Sequence, residues 1–245
     1  MIIKDTAIPL AYYPYSSTSR IVHWLTRHHG KISTLLKGAL RPKSPFLGEY
    51  ELFSTSELLF LARRPAMLHA GKECSLIHSR KAFRTDWRAM QVASYISSMF
   101  NHTTPDEAPH PDLFELLEDL LDLAEEYGHF PQFIYWSELR FSNHHGHAPN
   151  LGHCTLCNAP PPFSFSADVG GVVCTPCSRN KNIQTFECPP DVLSILRAWQ
   201  KADHPQTAIK TVASVRQYLL ISVIMESFLR HYFNLDPTHR NATLR

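Results

Sequence analysis

Four cysteines are the strongest chemical signal in this sequence of 245 residues. They follow the pattern C-x2-C-x16-C-x2-C and are Cys154, Cys157, Cys174 and Cys177. Thiolates hold Zn²⁺ tetrahedrally, and each C-x2-C pair can place two of them on one side of the ion. The intervening residues suffice for a short hairpin, whose tight turn Gly170 and Gly171 permit. The spacing predicts one structural zinc per chain, because four thiolates leave no coordination position open for water.

The cysteine pairs have alternative interpretations, which the sequence supports less well. They could be free thiols of a degenerate site, or redox-active C-x-x-C motifs. A zinc deaminase would need H-x-E ahead of P-C-x-x-C, but H-x-E is absent and Pro176 lies inside the second pair. The H-E-x-x-H, P-loop and Rossmann glycine motifs are also absent. We therefore expect no enzymatic activity.

Four histidines next to the first cysteine pair and two isolated cysteines are other possible metal ligands. Because four thiolates complete a zinc shell, the nearby histidines are predicted to be linker or packed surface residues; they are His144, His145, His147 and His153. Cys74 and Cys188 stand apart from the pairs, and we expect them to fill buried space.

A second signal is a basic segment near the N-terminus. Six cations fall within 24 residues that contain no acidic residue: Arg20, Arg27, Lys31, Lys37, Arg41 and Lys43. Aromatic residues lie close to them: Tyr12, Tyr13, Tyr15, Trp24 and Phe46. Cations that neutralise phosphates and aromatics that stack on bases are typical of proteins that bind single strands. The composition fits equally well a merely basic surface whose aromatics belong to the core.

The charge distribution suggests two differently employed modules, although the net charge is only +2. Residues 1–80 carry 11 basic and 5 acidic side chains, whereas residues 81–150 carry 4 basic and 11 acidic ones. Much of the acidic charge lies on one face of a predicted amphipathic helix at 113–126. That face is expected either to be solvated or to dock a protein partner.

The periodicity of the sequence predicts β-structure first and helices afterwards. Residues 19–37 are predicted to form a hairpin, followed by a basic loop at 38–47. Further strands are predicted at 49–61 and 67–77, which together suggest a small barrel or sandwich. Helices are predicted at 82–100, 113–124, 131–141, 191–202 and 207–233, with a frayed polar tail at 238–245.

The composition is that of a globular protein, with 44% apolar and 19% charged residues. No apolar run reaches the roughly 18 residues that a membrane span needs. Lys4 and Asp5 come before any apolar segment of a secretory signal could form. We expect a cytosolic protein without a membrane partner.

Several segments resemble the RecO family of recombination mediators. In the N-terminal part these are Ala7–Leu10, Tyr15, Arg20–Ser33 and Lys37–Ser44. In the second half they are Gly146–Cys154, Phe163–Ser166 and Gly170–Cys174. The resemblance covers roughly residues 1–230 in the right order, and only the combination of segments is specific. Leu40 departs from it, because relatives often have another basic residue there.

The resemblance implies an α+β protein with an OB-fold DNA-binding barrel at 1–80. A mainly helical domain at 81–245 would follow, with a four-cysteine zinc module at 146–188. The six cations become candidate DNA contacts, and the four cysteines become zinc ligands. Implied partners are single- and double-stranded DNA, RecR, the single-stranded-DNA-binding protein and, indirectly, RecA.

The function that the resemblance implies is annealing of complementary strands and, with RecR, loading of RecA during gap repair. Its location would be the cytoplasm, in association with the nucleoid. The alternative is a zinc-stabilised scaffold whose barrel binds protein rather than DNA.

Overall fold

The computed structural model describes residues 1–64, 67–161 and 163–244. These residues pack as two compact units, Met1–Glu126 and Tyr127–Arg245. Within the described ranges, every helix is too short or too polar to span a lipid bilayer. The predicted α+β class is confirmed.

Five strands of the first unit form a closed barrel in the order β1-β2-β3-β5-β4. They are β1 (Ile2–Pro14), β2 (Arg20–Thr26), β3 (Gly30–Leu36), β4 (Thr55–Leu61) and β5 (His69–His78). β1 pairs with both β2 and β4, and a short parallel contact between β3 and β5 closes the ring. A five-stranded barrel is the architecture of an OB-fold, so that prediction is confirmed.

The barrel core is mainly apolar and contains a buried polar contact between Trp24 and Thr34. Trp24 and Thr34 are fully buried, and Trp24 Nε1 donates to Thr34 Oγ1 at 2.8 Å. The predicted hairpin at 19–37 is β2 and β3, which pair from Arg20 with Leu36 to Thr26 with Gly30. Gly30 has φ +70°, and a Cβ there would meet the Ala108 carbonyl oxygen at 2.2 Å. Only glycine therefore fits at this turn.

The bounds predicted for the other two strands are partly correct. β4 begins at Thr55 rather than at residue 49, because the preceding segment forms turns in which the Ser54 N–H bonds to the Glu51 carbonyl. Phe53 adopts φ +67°, which interrupts an extended backbone. β5 covers the predicted strand at 67–77 within two residues, and Pro65 of the predicted break lies outside the described residues.

Two helices follow the barrel strands, after a 3₁₀ turn at Lys81–Arg84. They are α1 (Trp87–Thr103) and α2 (Pro111–Tyr127). Asp86 caps α1 by accepting from the N–H groups of Arg88 and Ala89. α1 and nearly all of α2 belong to the first compact unit, together with the barrel. The division into domains at residue 80 stays a prediction.

The second unit is mainly helical and contains a small antiparallel sheet. Its helices are α3 (Pro131–His144), α4 (Thr175–Asn180), α5 (Pro190–Lys201), α6 (Pro205–Ala208), α7 (Val215–Phe233) and α8 (Pro237–Thr243). Its strands are β6 (Phe163–Ser166), β7 (Gly171–Cys174) and β8 (Phe186–Glu187), in the order β7-β6-β8.

Two predictions for the C-terminal part are wrong. The single helix predicted at 207–233 is two helices, α6 and α7. α7 begins only at Val215, because Ser214 and Gln217 form a capping box there. The tail predicted to be frayed forms α8 instead, capped by Asp236. α8 is held because Arg240, only 2% exposed, forms a buried ion pair with Glu138 of α3.

Candidate metal centre and nucleic-acid interface

The four predicted metal ligands come from three adjoining pieces of backbone in the second unit. Cys154 and Cys157 lie on a turn closed by the Asn158 N–H, which donates to the Cys154 carbonyl at 2.8 Å. Cys174 ends β7, and Cys177 lies in the first turns of α4. The β6–β7 hairpin thus returns the second pair to the first, as the spacing predicts.

One glycine ends the hairpin turn, and the next begins β7. Gly170 has φ +71°, and a Cβ on Gly171 would lie 2.3 Å from the Asn150 carbonyl oxygen. Two backbone hydrogen bonds join Asn150, which precedes the first cysteine pair, to the hairpin. The Asn150 N–H donates to the Gly170 carbonyl, and the Val172 N–H donates to the Asn150 carbonyl. These contacts fix the first cysteine pair beside β7.

The geometry of the sulfurs fits a tetrahedral metal ion. All four Sγ atoms lie within 4.8 Å of one another, and those of Cys157 and Cys174 are 3.6 Å apart. Zn–S bonds of about 2.3 Å in a tetrahedron place sulfurs about 3.8 Å apart. The four cysteines could therefore hold one metal ion and would close its shell.

The surroundings of the sulfurs already favour a negative charge on one of them. Burial opposes ionisation of Cys154, but hydrogen bonds from backbone N–H groups outweigh burial and lower the pKa of Cys154 to about 6. One of these donors is the N–H of Cys174, which lies 3.3 Å from the Cys154 sulfur. The neighbouring thiols have the opposite effect on Cys177 and raise its pKa to about 12. Because one ionised sulfur raises the pKa of its neighbours, all four thiols can be ionised together only when a cation lies among them.

The nearby histidines lie outside the sulfur cluster. Among the described residues, the metal-competent group contains only the four cysteines. His145 packs against Phe141 at 4.2 Å between ring centroids, and His147 packs against Tyr232 at 4.8 Å. These two histidines are packed side chains, as predicted. Cys74 and Cys188 are 5% and 3% exposed, which confirms that both are buried.

The six predicted DNA contacts divide into two groups in the first unit. Arg27 and Lys31 are held by acidic groups. Arg27 lies 3.0 Å from Glu118 and 3.6 Å from Glu115, with its guanidinium over the ring of Phe114. Lys31 lies 3.3 Å from Asp106 and donates to the Asn101 carbonyl at 2.7 Å. Their charge is therefore largely balanced within the unit.

The second group lies on and beside the segment predicted as a basic loop at 38–47. In the structure this segment covers residues 37–48, and from here on the basic loop means these residues. Lys37, Arg41 and Lys43 are exposed, and within the described part of the chain none of them takes part in an ion pair. Arg20 is half-buried at the start of β2, with its guanidinium 4.4 Å from the ring centroid of Tyr12. The basic loop is the more available cationic surface.

The basic loop is anchored rather than free. Leu40 N–H donates to the Thr18 carbonyl at 2.9 Å, and Gly38 N–H donates to Ser19 Oγ at 3.1 Å. Ala39 and Phe46 are 1% and 4% exposed and belong to the barrel core. This anchoring holds the loop cations in place beside the barrel.

The acidic face of α2 was expected either to be solvated or to dock a protein partner, but part of it is paired with cations of the first unit. Besides Glu118, Asp122 accepts a hydrogen bond at 2.6 Å from Arg80, whose side chain is fully buried. Arg80 also donates to the carbonyl of Phe53, so it joins α2 to the barrel. Arg80 carries no local sequence signal of this role. The opposite charges of residues 1–80 and 81–150 were the available signal.

Comparison with known sequences agrees with this architecture. The family model described as "Recombination protein O N terminal" matches residues 1–80, and "Recombination protein O C terminal" matches residues 84–238. The chain belongs to the RecO family. The resemblance found in the sequence is thereby confirmed.

RecO-family relatives match most of the chain. The chain is 31% identical to the DNA repair protein RecO of Syntrophus aciditrophicus over 78% of its own length and 73% of that relative. It is 27% identical to that of Exiguobacterium sibiricum over 96% and 93% of the two chains. It is 29% identical to that of Bacillus subtilis over 83% and 79%.

Proposed function

We propose that this RecO-family chain is a DNA-binding repair protein whose basic loop holds the phosphate backbone of DNA. The observation that carries the proposal is the set of exposed cations Lys37, Arg41 and Lys43, anchored beside the barrel without an acidic partner among the described residues. Such cations release counterions from DNA and bind without regard to sequence. Arg20 extends this surface, whereas Arg27 and Lys31 contribute less because their charges are balanced.

The proposed activity is the annealing of complementary single strands, without catalysis. Cations that neutralise the phosphates of two strands lower the repulsion between them, and base pairing then supplies the driving force. Such a step needs no nucleophile, general base or nucleotide. In the cell the chain would act in the cytoplasm at the nucleoid, with RecR and the single-stranded-DNA-binding protein, to help load RecA on gapped DNA.

The four cysteines are proposed to hold one structural Zn²⁺. Cys154, Cys157, Cys174 and Cys177 supply four soft ligands, which is the donor set of closed zinc sites. The ion would supply folding energy for the module at 146–188 rather than chemistry.

The binding proposal is tested by fluorescence anisotropy with labelled single- and double-stranded DNA over a range of salt concentrations. The variant replaces three cations: Lys37→Glu, Arg41→Glu and Lys43→Glu. A matched control makes the same change in net charge at exposed lysines elsewhere: Lys72→Glu, Lys201→Glu and Lys210→Glu.

The loop variant should bind single strands at least tenfold more weakly, and its log–log salt slope should be shallower by roughly 2 for three phosphate contacts. The control should lose much less. Equal losses in both variants would show that only net charge matters. A wild-type chain that binds no DNA would favour the protein scaffold instead.

A further inference from the structure

A cavity of about 310 Å³ opens beside the basic loop of the barrel. Six of the side chains that line it are Tyr12, Arg20, Leu40, Leu47, Tyr50 and Glu51. This volume is at the lower end of the range of small-ligand sites, so the cavity suits a single ring system. Of these six residues, the phosphate contacts proposed above use only Arg20, and the zinc module uses none.

One wall of the cavity is a stacked pair of planar groups. Tyr12 near the end of β1 pairs with Val22 of β2, which places Tyr12 and Arg20 diagonally on the same side of the two strands. The Arg20 guanidinium carbon lies 4.4 Å from the ring centroid of Tyr12, and the tyrosine is 38% exposed. Aromatic rings and guanidinium planes are the groups on which proteins stack unpaired bases.

The inner part of the cavity is preformed by the barrel core. Tyr50 is 8% exposed and meets Tyr12 edge to face, with centroids 6.3 Å apart and planes at 77°. It belongs to the buried cluster that contains Trp24 and Phe60. A ligand would therefore enter a site whose walls are already ordered, which reduces the entropy cost of binding.

The opposite wall belongs to the basic loop itself. Leu40 and Leu47 are 43% and 69% exposed, and both line the cavity. Glu51 also lines the cavity, but Arg84 holds its carboxylate in an ion pair. The loop thus presents apolar side chains toward the cavity and cations to the solvent beside it. A flat apolar ring attached to phosphates matches both properties.

We propose that this cavity binds one unpaired nucleobase, stacked on the Tyr12–Arg20 pair, while the basic loop holds the neighbouring phosphates. The inference rests on the proposed DNA binding and names what the site recognises beyond phosphate. A base within a duplex is covered on both faces by its neighbours and would first have to be flipped out. The cavity therefore gives the barrel a preference for single strands, which a purely phosphate-binding surface lacks.

The test compares two labelled ligands of equal length and charge: oligodeoxythymidylate and the same backbone built from abasic sites. Fluorescence anisotropy on the 245-residue chain should show about tenfold tighter binding of the strand with bases. Tyr12→Ala should abolish this preference without changing affinity for the abasic strand, whereas Tyr12→Phe should retain it. Tyr15→Ala is the control, since Tyr15 is 58% exposed and is not among the residues that line the cavity.

A second variant keeps the test decisive if Tyr12→Ala does not fold. Arg20→Lys preserves the charge but removes the planar guanidinium, so the ratio of the affinities for the strand with bases and for the abasic strand should fall. Equal binding of the two ligands by the wild type, or equal weakening of both by these variants, overturns the nucleobase site and leaves the phosphate surface standing. Binding of neither ligand overturns the proposed function as well.

Discussion

Glu138 and Arg240, which are 102 residues apart in sequence, form a buried ion pair between α3 and α8. Arg240 Nε donates to Glu138 Oε1 at 2.6 Å, and its Nη2 donates to Oε2 at 3.1 Å. Ser222 Oγ of α7 accepts a third hydrogen bond from Arg240 at 3.0 Å. One side chain thus joins the last helix to two others in the second unit.

Removing Arg240 should destabilise the second unit strongly. Arg240→Ala leaves a buried carboxylate without its partner, which costs about 3–5 kcal/mol of unfolding free energy. Urea unfolding followed by circular dichroism measures the loss. Arg230→Ala is the control, because Arg230 is 59% exposed in its pair with Glu226 and should cost less than about 1 kcal/mol. Similar small losses for both variants would mean that α8 is not held by this pair.

The tail containing Arg240 also shows what the sequence could not reveal. Residues 238–245 are polar. Asp236 followed by Pro237 is a local helix-start signal that was available, but nothing local shows that a distant carboxylate holds the helix. The β2–β3 hairpin and the cysteine module were predictable because strand alternation, turn glycines and ligand spacing are local signals. The pairing of Arg27 with Glu118 was not, since 91 residues separate them. The opposite charges of residues 1–80 and 81–150 suggested that the two segments attract each other, but they did not indicate which side chains pair.

Acid should weaken the first unit through Asp5. Its buried carboxylate accepts hydrogen bonds from the ring nitrogens of His29 at 2.6 Å and His28 at 2.9 Å, and from the His28 backbone. Burial raises the pKa of Asp5, but these hydrogen bonds outweigh burial and hold the pKa below 3.8. Because the folded-state pKa is depressed, the stabilisation is present above pH 3.8 and is lost as pH falls through the folded-state value.

Asp5→Asn should therefore be less stable than the wild type near pH 7, and the difference should shrink below pH 3.8. Unfolding free energies measured by denaturant titration at several pH values provide the comparison. Asp112→Asn, on the exposed start of α2, controls for the change in net charge. A difference that stays constant down to pH 3 or grows on acidification would be inconsistent with this role of Asp5.

Neutralising the acidic partners of Arg27 should strengthen DNA binding. In Glu115→Gln with Glu118→Gln, the guanidinium loses both carboxylates and becomes available to a phosphate. One additional contact should make the log–log salt slope for single strands steeper by roughly 0.7. Anisotropy titrations compare this variant with Asp112→Asn and Glu126→Gln, which make the same change in net charge at exposed positions of α2. Identical slopes in the two variants would count against a latent contact at Arg27.

Losing one proposed zinc ligand should affect the second unit locally. Cys154→Ser should remove bound zinc and raise hydrogen exchange across 146–188, since structural zinc supplies folding energy, while the barrel amides stay protected. Metal analysis should find one zinc per wild-type chain. Cys74→Ser, a buried cysteine of the barrel, should keep the zinc. Wild-type protein purified without chelator that contains no metal would rule out the zinc assignment.

Strand annealing by the 245-residue chain, followed by fluorescence quenching between labelled complementary strands, tests the proposed role of the basic loop most directly. The wild type should accelerate annealing without ATP or added Mg²⁺, and the variant with Lys37→Glu, Arg41→Glu and Lys43→Glu should lose the acceleration. The charge-matched variant with Lys72→Glu, Lys201→Glu and Lys210→Glu should retain most of it. An absolute requirement for ATP, cleavage of the strands, or full activity in the loop variant would contradict the proposal that this anchored basic loop anneals DNA.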